Sequence, residues 1–160
     1  MGEPQSPSLT TLTEEVRSGL FGLYANLRRN PYKANVVRPL HASAMKLCDI
    51  IQEELSRNPY HPNKRAIRDA LSSLRSVEGS IQLLITASDE YSRSTDLAEK
   101  HLIQNTWTDR KDRLVGQAEP CAESLDVVLA FADDLDSQAS TGEINLPDKT
   151  ANRKRRGRAG

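Results

Sequence analysis

The segment IRDALSSLRSVEGSIQLLI, residues 67–85, carries Ile67, Leu71, Leu74, Val77, Ile81, Leu84 and Ile85 at steps of mostly three and four. That spacing lines one face of an α-helix, and no strand alternation competes with it. Asn63 stands just before the segment as a plausible N-cap. This is the most regular helix in the chain, and an amphipathic helix of this kind is stable only against other apolar faces.

Such faces lie on both sides of it. Upstream, Val36, Leu40, Ala44, Leu47, Cys48, Ile51 and Leu55 form a second stripe, with Pro39 tolerable only in its first turn and Asn58-Pro59 closing it. Before that, Leu9, Leu12, Val16, Leu20, Leu23, Tyr24 and Leu27 read as one continuous helix. Thr11 with Glu14 fits a capping box at its start, and Asn30-Pro31 ends it. Downstream of Asp89 the pattern weakens into a short helical piece around Leu97, Leu102 and Ile103. A long helix then follows from about Thr108, through Leu114, Ala118, Cys121, Leu125, Val128, Leu129, Ala132 and Leu135, and Pro120 inside it predicts a kink.

These stripes predict an all-α fold: an antiparallel up-down four-helix bundle with a short extra helix before a kinked last helix. The folded domain is expected over residues 9–136. The Pro- and Ser-rich start, residues 1–8, and the Ser/Thr/Gly/Asp stretch with its basic end, residues 137–160, read as disordered. One local repeat stands out. Arg29-Asn30-Pro31-Tyr32 with Asn35 matches Arg57-Asn58-Pro59-Tyr60 with Asn63, each between helices. It reads as a helix stop, a packing tyrosine and a cap for the next helix; the alternative is a paired recognition loop.

The 160 residues hold 22 Lys+Arg and 22 Asp+Glu, but the neutral total hides an asymmetry. Arg153, Lys154, Arg155, Arg156 and Arg158 carry five positive charges at the end, and setting them aside leaves a body of about −5. Such a tail suits nuclear import or non-specific phosphate binding, and it could also fold back on the acidic body. In an up-down bundle one end gathers Arg57, His61, Lys64, Arg65 and Arg68 with Asp133, Asp134 and Asp136. These eight residues form the candidate interaction site, either as a solvated ion network or as a partner-docking end.

Catalytic and cofactor chemistry has no recognisable motif here. His41, His61 and His101 are isolated from one another and from Cys48 and Cys121, so no metal-ligand spacing exists, and neither a phosphate-binding glycine loop nor a nucleophile elbow is present. The cysteines fall on apolar stripes and read as buried, inert thiols. The expectation is a protein with neither enzyme activity nor cofactor, of intracellular location, cytoplasmic or nuclear, without a membrane-spanning segment.

From Tyr91-Ser92-Arg93-Ser94 through Leu97, His101-Leu102-Ile103 and Asp109 to Leu125-Asp126, the chain resembles the N-terminal helical bundle of mixed-lineage kinase-like pseudokinases and the related bundles of fungal and plant cell-death proteins. The resemblance implies an oligomerising bundle that acts on membranes. The acidic body departs from it, since attraction to anionic lipid calls for clustered basic residues. No catalytic or lipid-binding residue carries over. The function expected from the residues themselves is a helical protein–protein interaction or assembly module, by self-association or with a protein partner; cell-death action at a membrane and nucleic-acid association through the tail are the alternatives.

Overall fold

The computed structural model describes residues 8–145, and they are all-helical. The elements are α1 (Leu9–Phe21), α2 (Leu23–Arg29), α3 (Arg38–Arg57), α4 (Lys64–Arg93), α5 (Leu97–Ser124) and α6 (Asp126–Asn145). The termini expected to be disordered, including the basic tail, lie outside the described residues apart from Ser8 and the stretch 137–145. That stretch belongs to α6, which runs past the boundary expected at Asp136.

The central stripe folds as its spacing requires. Ile67, Leu71, Leu74, Val77, Ile81, Leu84 and Ile85 are all buried on α4, which is 30 residues long. α3 and α5 pack on α4; α1 in turn packs on both α3 and α5, closing a ring of four neighbours around one core. α6 lies against α1 and α4. Pro39 occupies the first turn of α3, where its missing N–H would have had no helical partner.

Three local expectations are corrected. The first helix starts on Ser8, not on a Thr11–Glu14 box: the Ser8 hydroxyl accepts the Thr11 N–H at 3.0 Å. It is also divided at Gly22, although Leu20, Leu23 and Leu27 stay buried across the break and the Gly22 and Asn26 N–H groups still reach back four residues. The third correction concerns the last stripe. No separate short helix precedes it, because Leu97 opens α5 and the helix continues to Ser124 with Pro120 inside it. Pro120 and Gly116 are both exposed, so water can take the carbonyl that the proline leaves unbonded. The break falls five residues later, at Leu125. There the Leu125 N–H is shared between the Cys121 and Ala122 carbonyls at 3.2 Å, and the Ser124 hydroxyl competes for Cys121 O at 2.7 Å.

Glycine marks where helices approach closely and where they do not. A β-carbon at Gly19 would lie 2.8 Å from Leu40 Cδ1 on α3, whereas at Gly79 and Gly116 it would meet nothing within 4 Å. Gly79→Ala and Gly116→Ala should therefore each raise unfolding free energy by about 0.5–1 kcal/mol through helix propensity alone. Gly19→Ala should gain less than either, because the Leu40 methyl must move. Urea denaturation of the three variants checks this order, and an equal gain at Gly19 would contradict the close α1–α3 approach.

Candidate interaction site

The charges expected to meet at one end come together only in part. His61, in the connection before α4, is the residue that bridges to the far end of the chain. Its Nε2 lies 3.1 Å from Asp134 Oδ2 on α6, and its ring meets Phe131 edge-on at 4.9 Å. Its other nitrogen, Nδ1, accepts the Asn63 N–H at 3.0 Å. The neutral Nε2–H tautomer serves both contacts at once, donating to Asp134 and accepting from Asn63. Asn63 holds the N-cap position expected of it but makes no side-chain capping bond, and the imidazole takes over part of that role.

Arg57 turns instead to its own helix, pairing with Glu53 at 3.0 Å and Glu54 at 3.2 Å. Lys64, Arg65, Arg68, Asp133 and Asp136 have no ion-pair partner within 4.0 Å among the described residues. The eight-residue network thus reduces to one bridge, His61–Asp134. Arg153, Lys154, Arg155, Arg156 and Arg158 lie outside the described residues.

Stronger polar links occur between helices elsewhere. Arg38 at the start of α3 pairs with Asp89 near the end of α4 at 2.6 Å, and the largely buried His41 reaches Glu78 at 2.7 Å. The Ser80 hydroxyl donates to Gln117 Oε1 at 2.6 Å, and the Gln117 amide donates to Ser76 at 3.1 Å. Arg17 Nε sits 2.9 Å from Asp126 Oδ1, yet off the N–H direction, so it is an ion pair without a hydrogen bond.

The exposed apolar side chains were not legible as such. Leu97 and Leu102, read as part of a short helical piece, are 83% and 66% exposed, and Ile103 is only half-buried. The first ten residues of α5 contribute nothing to the core; its first buried side chain is Trp107. The weakened periodicity after Asp89 was the available signal. Tyr60 is 94% exposed on the connection before α4, beside a shallow cavity of about 330 Å³ that runs from Arg57 to Gln138.

Among the described residues no group of three or more His, Cys, Asp or Glu side chains could hold a metal ion, and no helix is long and apolar enough to cross a membrane. Cys48 and Cys121 are free and buried. Burial pushes the Cys48 thiol up to about 11 and raises that of Cys121, so both stay protonated at neutral pH. A thiol reagent at pH 8 should therefore label neither cysteine in the native protein and both in denaturant. Because the folded state holds the Cys48 proton more tightly than the unfolded chain, whose thiol ionises near 9.0, stability should fall as pH rises from 9 toward 11.

His61→Ala should lower stability by about 1–2 kcal/mol, through the lost cap, ring contact and bridge together. Asp134→Asn should cost under about 1 kcal/mol, since Asp134 is half-exposed. Asp133→Asn and Asp136→Asn should change nothing measurable in urea unfolding, and a cost at Asp133 equal to that at Asp134 would refute the single bridge.

No protein-family model matches the chain, and neither characterised proteins nor solved structures gave a match.

Proposed function

We propose that this chain is a non-enzymatic association module, an antiparallel up-down four-helix bundle that binds a protein partner or a second copy through the start of α5. The up-down reading is supported by residue pairs whose numbers rise on one helix as they fall on the next. Glu15 meets Ser43 and Gly19 meets Leu40; Arg38 meets Asp89 and Gln52 meets Arg75; Ser80 meets Gln117 and Tyr91 meets Gln104.

The observation that carries the function is the exposure of Leu97 and Leu102 within the first two turns of α5. Two leucines left in water on a helix whose remaining length serves the core are poorly explained by folding, and burial of either against a partner is worth about 1.5–3 kcal/mol. Association through helical apolar anchors is a common recognition mode.

Light scattering of the purified protein and pull-down with the full chain, each repeated on Leu97→Ser/Leu102→Ser, test the proposal. Association should be lost in the double variant while helix content and the unfolding midpoint stay unchanged. A wild-type chain that is monomeric and captures nothing, or a variant that associates as before, overturns it. Release of contents from phosphatidylserine vesicles by the wild type, lost in the variant, would replace it with membrane action.

A further inference from the structure

Two connections contain the same tripeptide, and the chain treats them alike up to the asparagine. Asn30 ends α2 at φ −131°, ψ 65°, and Asn58 ends α3 at φ −126°, ψ 62°. Each side-chain amide donates to the carbonyl four residues back, at 2.9 and 2.8 Å. Each backbone carbonyl then accepts the N–H three residues on, from Lys33 at 3.3 Å and from His61 at 3.2 Å.

The tyrosines part company. Tyr32 has φ 62°, the one positive φ among the described non-glycine residues, so Tyr60 keeps an ordinary negative value. A side chain in the left-handed region is disfavoured roughly 5- to 30-fold. The preceding Asn-Pro does not account for the difference, since both tyrosines share it; beyond them the chain runs Lys33-Ala34 in one connection and His61-Pro62 in the other. The surroundings also differ. The Tyr32 ring stacks on Tyr91 at 4.8 Å and 25°, meets the edge of Trp107 at 5.9 Å, and its carbonyl accepts the Ser88 hydroxyl at 3.1 Å. Tyr91 is itself held by Lys100 Nζ, 4.7 Å over its ring. Tyr60 has no such seat.

We infer that the turn at Tyr32 is a spring-loaded latch: the aromatic seat on Tyr91 and Trp107 holds it in a left-handed form that the same tripeptide does not adopt at Tyr60. When the seat is lost the turn relaxes to the Tyr60 form, carrying its ring into solvent and uncovering Trp107, which is 2% exposed when the latch is closed. The moving part is short. Ala34 and Val37 are buried just beyond it and anchor the connection, and Asn30 anchors it on the other side, so the helices need not separate.

Trp107 is the only tryptophan and reports the change directly. In the full-length wild-type chain, NMR should give the strong intraresidue amide–Hα contact of a positive φ at residue 32. In Tyr91→Ala that signature should vanish and acrylamide should quench Trp107 more readily, while the amides of Leu74 and Ile81 exchange as in the wild type. A second pair keeps the test independent of whether Tyr91→Ala folds. Tyr32→Ala and Tyr32→Gly both remove the ring, and a turn that relaxes favours folding of the alanine variant by about two- to fivefold, because glycine loses more chain entropy on folding. A glycine variant that folds more favourably than the alanine variant means that the turn stays left-handed without its seat, and overturns the latch. Persistence of the positive-φ signature in a folded Tyr91→Ala, or its absence from the wild type, does the same.

Discussion

Burial of one continuous face on α4 is the constraint to which the other helices answer. Ile67, Leu74, Val77, Ile81 and Leu84 are at most 1% exposed, and an isolated helix presenting them to water would be marginal at best. α3 and α5 cover the two flanks of that face, and α1 then bridges α3 to α5. Each apolar stripe in the chain is thus the lid of another. The breaks at Gly22 and Leu125 are tolerated because the residues that flank them, Leu20 and Leu23, Cys121 and Val128, still point into the shared interior. A helix can lose its regular ladder for one residue at little cost when its buried face is unbroken.

Apolar burial is non-directional, and side-chain polar pairs supply much of the direction. Arg38–Asp89, His41–Glu78 and Gln52–Arg75 fasten α3 to α4, and Ser80–Gln117–Ser76 fastens α4 to α5. Arg110 adds a bond from its guanidinium to the Leu83 carbonyl at 2.8 Å. Individually, such surface pairs contribute well under a few kcal/mol. Their geometric demand is sharper than their energy: a shift of one turn along either helix would break them together. The buried Thr13 follows the same economy of polar groups, its hydroxyl donating to Leu9 O at 2.7 Å within α1.

The charged end illustrates how local pairing overrides long-range complementarity. Arg57 has carboxylates three and four residues behind it on its own helix, already within reach of one flexible side chain. A carboxylate on α6 must compete with them from another helix. His61 is different because its ring is fixed by the Asn63 N–H and by Phe131, so its remaining nitrogen points in one direction, and Asp134 lies there. A short, immobilised ring makes the inter-helix contact that four long cationic side chains do not.

Much of this was legible in the sequence by itself, because periodicity and helix stops are local. The three- and four-residue spacing of α4, the proline in the first turn of α3, and Asn30 and Asn58 as stops depend on residues within one or two turns of each other. What the tertiary structure decided were the choices that local chemistry leaves nearly balanced. Leu97 and Leu102 are apolar residues in a helix, and their exposure is visible only in the folded chain. Pro120 disrupts a helix in principle, but it lies on an exposed face within α5, which continues past it to Ser124 and ends at Leu125. Asn-Pro-Tyr makes both turns, and the tripeptide alone determines the carbonyl-to-amide closure of each. The left-handed φ of Tyr32 against the ordinary one of Tyr60 accompanies contacts from distant residues, Ser88, Tyr91 and Trp107, because stacking and a hydrogen bond from another part of the chain can offset a backbone conformation that tyrosine disfavours.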